Sequence, residues 1–225
     1  MTAAAANGIF RYSIMKGLID MLSKTDATLH CISCECHCQL APEHTLRSHY
    51  CDSASFSVWP EKNIYFRKGV AERILKHHHN LLTRGFVFVD FSLPNLRNFL
   101  SNQWINNLSN ANVNIILIAD NRMRALANYW LKESDRIRAV IYNDDKHDLL
   151  NTKMRRIFSG MTLYDKKTPI LNHVEFTILK CILDGKSAPQ VSAECNINIK
   201  AVYVHKQRLE KKIGLHIYKI INTTL

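Results

Sequence analysis

The sequence predicts two units in series: an α/β unit around a small, mostly parallel sheet, then an all-α unit of four helices. Three observations carry this reading. First, apolar and β-branched runs without polar alternation recur at 85–91, 113–118 and 138–142. That pattern suits strands buried on both faces, and the helical stretches between them give β-α-β-α-β. Second, beyond residue 171 the strands stop and the apolar positions fall at helical spacing. Third, the net charge is +11, and residues 151–225 carry +8 of it. Such asymmetry points to a C-terminal part that binds a polyanion.

Each element follows from local chemistry. Residues 1–55 read as a variable arm, beginning with an Ala run and holding a Cys/His cluster. Met15 and Met21 are alternative starts, so residues 1–20 are not assigned to the natural chain. Val70, Ile74, Leu75, Leu81 and Leu82 predict a helix over 64–84. Two further helices are expected at 95–109 and 122–134, so the α/β unit spans 56–150. Residues 151–170 read as a basic linker, with Lys153, Arg155, Arg156, Lys166 and Lys167 against Asp165. The last unit, 171–225, divides into helices at 173–184, 188–195, 199–213 and 216–222. Gly185 suits a left-handed position closing the first, and Ser187 suits the N-cap of the second. Pro189 falls in the first turn, where its missing N–H does no harm. Asn196 suits the turn that follows, and Asn198 suits the next N-cap. A helix, a tight turn and a longer helix on a basic segment make a helix-turn-helix.

Composition removes several classes of function. Lys plus Arg number 30 against 19 Asp plus Glu, which favours a polyanionic partner. No apolar run approaches the roughly 18 residues needed to span a bilayer. The start lacks the ordered parts of a secretory signal. With 7 cysteines, an odd number, reduced thiols in a cytoplasm are expected rather than a disulfide framework. Only 7 glycines are present, and no Gly-rich phosphate loop is among them. No Ser-His-Asp or Cys-His arrangement has local support either. The expectation is therefore a regulator without enzymatic activity and without a cofactor.

The helix at 199–213 is the candidate reading element. At about 100° per residue, Ile199, Val202, Leu209 and Ile213 share one stripe and should pack inward. Lys200, Val204, Gln207, Arg208 and Lys211 fall on the opposite side. Tyr203 and His205 flank that face, and Lys206 lies near the apolar stripe, from which it reaches a phosphate by extending its stem. Lys and Arg neutralise phosphates, Gln pairs with adenine, and Val or Tyr touches a base edge or a thymine methyl. A solvated helix face has the same look, so the wheel alone leaves both readings open.

Residues 171–215 resemble the LuxR/FixJ-type helix-turn-helix without a gap. Leu171, Glu175, Leu179, Gly185, Ser187, Val191, Ala193, Ile197, Val202, His205, Lys212 and Gly214 carry the match. The resemblance implies that Tyr203, Val204 and Gln207 read bases. It also implies that His205 and its basic neighbours hold the backbone. With the wheel, this gives a DNA-binding set of Lys186, Lys200, Tyr203, Val204, His205, Lys206, Gln207, Arg208, Lys211 and Lys212. Ala201, Asn196 and Tyr203 depart from the usual Thr, Gly and Lys, so no target sequence is carried over. A narrower resemblance covers about residues 56–222. Ile64 to Gly69, Gly85 to Asp90, Leu126 to Trp130, Arg138 to Tyr142 and Val202 to His205 are similar to the EcpR-type regulators of the enterobacterial common pilus. This implies an activator of a fimbrial operon, tied to adhesion and biofilm. The implied partners are double-stranded promoter DNA, a second copy of the chain, and RNA polymerase or another LuxR-type regulator, with no membrane.

The middle unit also resembles a shortened response-regulator receiver. Phe86 to Asp90, followed by Leu93-Pro94, is similar to the strand that ends in the phosphoacceptor. Phosphorylation there needs an acidic pair for Mg²⁺ and a Lys for the phosphoryl group. These would fall near Glu61-Lys62 and Asn143, so one carboxylate and the Lys are replaced. About 24 residues separate Phe66 from Asp90, too few for a whole further strand-helix unit. Asp90 thus reads chiefly as a retained strand-end residue, with phosphorylation-dependent regulation as the alternative. Cys31, Cys34, Cys36 and Cys38, with His30 and His37, are candidate Zn²⁺ ligands or redox thiols. Their spacing is not that of paired knuckles, so an arm without a ligand is the competing reading. His77, His78 and His79 are adjacent on a helix and point apart, so they cannot all ligate one metal.

Overall fold

The computed structural model describes residues 56–78, 85–109, 113–163 and 168–223. Its first element, β1, is Phe56–Trp59. Helix α1 follows as Ile64–Val70, continues through a π-helical stretch Ala71–Leu75, and ends in Lys76–His78. Next come β2, Phe86–Phe91, a 3₁₀ helix Leu93–Phe99, and α2, Gln103–Ser109. Strand β3, Asn114–Ala119, leads through a 3₁₀ turn Asn121–Met123 into α3, Arg124–Glu133. Strand β4, Ile137–Tyr142, and α4, His147–Phe158, complete the α/β part. The helical part contains α5 His173–Leu183, α6 Ala188–Cys195, α7 Ile199–Ile213 and α8 Ile217–Thr223. The shortened parallel α/β unit followed by a four-helix unit is thus as the sequence predicts.

The four strands are all parallel and lie in the order β1-β2-β3-β4. Helices cover both faces, as unbroken apolar strands require. One face carries Phe56, Val58, Phe86, Phe88 and Ile116 under α1 and α4. The other carries Val87, Val89, Phe91, Ile115 and Leu117 under the 93–109 region and α3. The chain crosses the sheet in one direction throughout, yet the first crossover runs over one face and the next two over the other. The first crossover is therefore of opposite hand to the two that follow, although such connections share one hand in nearly all sheets.

Several expectations are corrected. Strand β1 was not foreseen: four residues are too few for periodicity to show. It lies ahead of Phe66; between Phe66 and Asp90 the described residues hold the rest of α1 and most of β2, with no further strand-helix unit, as the spacing predicts. The helix expected at 95–109 is two pieces, broken at Leu100–Asn102. The helix expected at 64–84 is described as far as His78. The expected linker at 151–170 begins inside α4, whose Met154, Ile157 and Phe158 are buried against the sheet. Its basic residues, Arg155 and Arg156, line the solvent side of an amphipathic helix.

The helical part docks on the α/β part through one continuous core. Leu171, Phe176, Leu179, Leu209, Ile213 and Ile217 join the cluster that contains Tyr129 and Trp130. Phe176 stacks on Tyr129 at 4.5 Å between ring centroids and meets Trp130 edge-on at 5.3 Å. Polar contacts fix the register. The Leu171 N–H donates to the Ala125 carbonyl at 3.1 Å, and Arg97 donates to the Leu183 carbonyl at 3.3 Å. Asn128 donates to the Thr168 hydroxyl at 2.7 Å and accepts from the Tyr142 hydroxyl at 2.9 Å.

Candidate nucleic-acid interface

Local chemistry sets the angle between α6 and α7. Ser187 and Gln190 form a capping box at the start of α6, with Pro189 in its first turn. Asn196 ends α6 in the left-handed region at φ 50° and ψ 46°. The Asn198 side chain then accepts from the Ala201 N–H at 2.7 Å and starts α7. Gly214 at φ 71° ends it. Val202, Leu209 and Ile213 face inward, 3%, 0% and 5% exposed. This locks the rotation of the helix and decides which side chains point out.

The outward set is Lys200, Tyr203, Val204, Gln207, Arg208 and Lys211, all exposed. His205 and Lys206 are half-buried at the flanks. The His205 Nδ1 is buried and has no hydrogen-bond partner among the described residues. The one acid of α7, Glu210, is turned away: it accepts from the Ile217 N–H at 3.0 Å and lies 3.5 Å from His216. The outward face is therefore cationic, with an amide and two apolar groups.

Three residues stand differently from their sequence reading. Ile199, expected in the inward stripe, is 44% exposed; at about 100° per residue it lies about 60° round the helix from Val202, at the edge of that stripe. Lys212 is turned inward. It donates to Glu175, 1% exposed, at 2.6 Å and to the Ile170 carbonyl at 2.8 Å. The same Glu175 closes the capping box of α5 with Asn172. Lys186 pairs with Glu194 beside the start of α6. That hydrogen bond raises the lysine and lowers the carboxylate relative to their ordinary values. In the core beneath, burial pushes the Cys181 thiol up to about 11, helped by a hydrogen bond to Glu194.

In the α/β part, Asp90 is 5% exposed near the end of β2. Its carboxylate accepts from the Asn63 side-chain amide at 2.8 Å, and the Oδ1 of the same side chain accepts from the Phe66 N–H at 3.0 Å. The adjoining cleft, of about 650 Å³, is lined by Lys62 and Asn63, and Asp90 is the one carboxylate among its described lining residues. Asn143 lies in a separate cavity with Ile118 and Leu150. Asp120 is spent on the backbone, accepting from Leu93, Arg122 and Met123. Among the described residues no group of three or more His, Cys, Asp or Glu is placed to hold a metal ion. The donor set around Asp90 thus does not fit the Mg²⁺ that receiver chemistry needs. The cluster of Cys31, Cys34, Cys36 and Cys38, and His79, lie outside the described residues. Among the described residues no helix is long and apolar enough to cross a membrane.

A cationic second helix of a helix-turn-helix, carried on a parallel α/β body, defines a DNA-binding transcriptional regulator of the LuxR type. Residues 170–217 match the luxR family of bacterial regulatory proteins. Residues 30–158 match the EcpR N-terminal domain, and the chain belongs to that family. The match starts earlier than the residues that suggested it in the sequence, and so takes in the cysteine cluster. YqeH of Escherichia coli (strain K12) is 42% identical over 187 residues, which span 83% of this chain and 89% of that protein. Among solved structures, two RcsB dimers bound to two parallel DNAs give a TM-score of 0.37 at 15% identity, covering 71% of this chain and 90% of that one. Full-length FixJ from B. japonicum gives 0.31 at 10%, covering 75% and 93%.

Proposed function

We propose that this chain regulates transcription by binding promoter DNA as a homodimer, with α7 in the major groove of each half-site. The observation that carries the reading is the orientation of α7. Its three inward residues are buried, its acid is turned away, and Lys200, Gln207, Arg208 and Lys211 stand outward together. Gln207 reads a base, adenine being its bidentate partner. Lys200, Arg208, Lys211 and Lys206 hold phosphates, with Lys186 and His205 at the edges. Lys212 supports the fold rather than the contact. Two-fold symmetry of the dimer would be mirrored in the operator, with half-sites about 34–36 Å apart. Family membership supports a fimbrial operon as the target and activation as the outcome.

The test uses a duplex enriched by the full chain from a random pool, and a scrambled control. Gln207→Ala is expected to lose affinity for the enriched duplex only. Arg208→Ala and Lys211→Ala are expected to weaken both duplexes by a similar factor, each lowering the salt slope by about one. Equal losses on both duplexes for Gln207→Ala would overturn its base-reading role.

A further inference from the structure

A cavity of about 200 Å³ lies between α1 and α4, over the carboxyl ends of β3 and β4. Open α/β sheets place ligands outside the carboxyl ends of their strands. The walls are mostly apolar. Phe66, Ile118 and Leu150 line the cavity and border the core cluster on this face, yet each is only half-buried. Covering them would remove further apolar surface from water, which is favourable. The α1 wall includes part of the π-helical stretch Ala71–Leu75, a geometry that is frequent at functional sites. Gly69 stands in the same wall, one turn from both Phe66 and Arg73. A β-carbon on Gly69 would meet no packed neighbour within 4 Å, so the glycine leaves this wall open.

Four polar side chains join the lining, and two of them are already committed. The Tyr142 hydroxyl donates to Asn128 at 2.9 Å. The Asp145 carboxylate accepts from the Tyr142 N–H at 2.9 Å and pairs with Lys153 at 2.5 Å. Arg73 and Asn143 are exposed, and their side chains make no hydrogen bond or ion pair among the described residues. Glu72, beside Arg73, is taken by Lys76 at 3.1 Å. The cavity is therefore offered one uncompensated guanidinium and one amide. A guanidinium holds a carboxylate through two parallel N–H donors. Apolar walls with a few polar groups are the usual make-up of a small-molecule site. An apolar cavity of about 150 Å³ holds benzene, so this one suits a ring with a short acidic arm.

We infer that this cavity binds a small aromatic carboxylic acid. The carboxylate sits on Arg73 and Asn143, and the ring lies among Phe66, Ile118 and Leu150. No residue of α7 takes part, so the inference stands apart from the DNA-reading role given to that helix.

The test uses the full chain, with binding followed by ligand-detected saturation-transfer NMR. Phenylacetate is the probe. Phenylacetamide keeps the ring and removes the charge, and acetate keeps the charge and removes the ring. Phenylacetate is expected to bind saturably, and about tenfold tighter than phenylacetamide, the weight of a hydrogen bond to a charged group. Acetate is expected to show no saturable binding. In Arg73→Gln the preference for the acid should vanish while phenylacetamide binds as before. In Gly69→Leu both ring compounds should lose binding, because the side chain fills the cavity. Leu favours a helix over Gly and Arg73 is exposed, so unchanged melting without probe checks that both variants fold. Absence of saturable binding by phenylacetate overturns the site, and so does binding that survives intact in Gly69→Leu. Equal affinity for phenylacetate and phenylacetamide, or for phenylacetate and acetate, overturns the assignment of an aromatic acid.

Discussion

Glu175 shows how a residue that matches a family pattern can serve the fold alone. Its carboxylate is 1% exposed and satisfied by the Asn172 N–H and by Lys212. Lys212→Met would leave a buried carboxylate short of a partner, at a cost of about 1–3 kcal/mol. Thermal or denaturant unfolding should show that loss. The salt slope of DNA binding should stay as in the wild type, whereas Lys211→Ala should lower it. A lowered slope in Lys212→Met would return this lysine to the interface. His78 carries a second residue-scale consequence. It is 5% exposed and bonded to Asn151 at 3.1 Å. Burial lowers its pKa below the ordinary 6.5 against the opposing hydrogen bond that its ring donates to the Asn151 Oδ1, and His77, Arg155 and His147 lower it further. Below the ordinary value the unfolded chain binds the proton more readily than the folded one, so stability falls as the pH falls through 6.5. The melting temperature should drop between about pH 7.5 and 5.5, less steeply in His78→Gln than in the wild type. An equal drop in both would clear His78. The outward set of α7 was legible because charge and 3.6-residue periodicity are written in sequence. The inward turn of Lys212 was not, because its partner Glu175 lies on another helix.

At the scale of elements, the turn between α6 and α7 sets the presentation of the reading face. Asn196 holds its left-handed conformation where Gly is commoner in such turns. Asn196→Gly should change stability by only a few tenths of a kcal/mol, since Gly relieves backbone strain but loosens the unfolded chain. Asn196→Ala should cost about 1–2 kcal/mol, because Ala lacks the short polar side chain that tolerates this region. Urea unfolding distinguishes them, and equal stability for all three would mean that the turn is not conformationally demanding. The four C-terminal helices were legible almost to the residue, and capping chemistry bounds the first three of them. Asn172, Ser187 and Asn198 start them, and Asn196 and Gly214 stop two of them. Other elements were hidden for stated reasons. β1 is four residues long, and the 93–109 region breaks between a 3₁₀ helix and α2. In α4 the basic residues drew attention from Met154, Ile157 and Phe158, which anchor it.

At the scale of the molecule, the two parts share one core. Phe176 of α5 lies between Tyr129 and Trp130 of α3. That shared cluster couples the two parts, and each also has a cluster of its own. Unfolding should therefore follow a single transition by near- and far-ultraviolet circular dichroism. Phe176→Ala should lower stability by about 3–5 kcal/mol, and two well-separated transitions in the wild type would contradict the shared core. No sequence pattern showed this docking, because the contacting residues also satisfy each part's own amphipathic rule. The docked arrangement leaves the outward face of α7 exposed. The central claim is sequence-selective recognition of DNA by that face. The most direct measurement is fluorescence anisotropy of the full chain on its own upstream DNA and on a scrambled duplex, from about 50 to 200 mM salt. Tighter binding to the upstream DNA at every salt concentration, with affinity for both duplexes falling steeply as salt rises, is the predicted result. Equal affinity for the two duplexes across that range would contradict it.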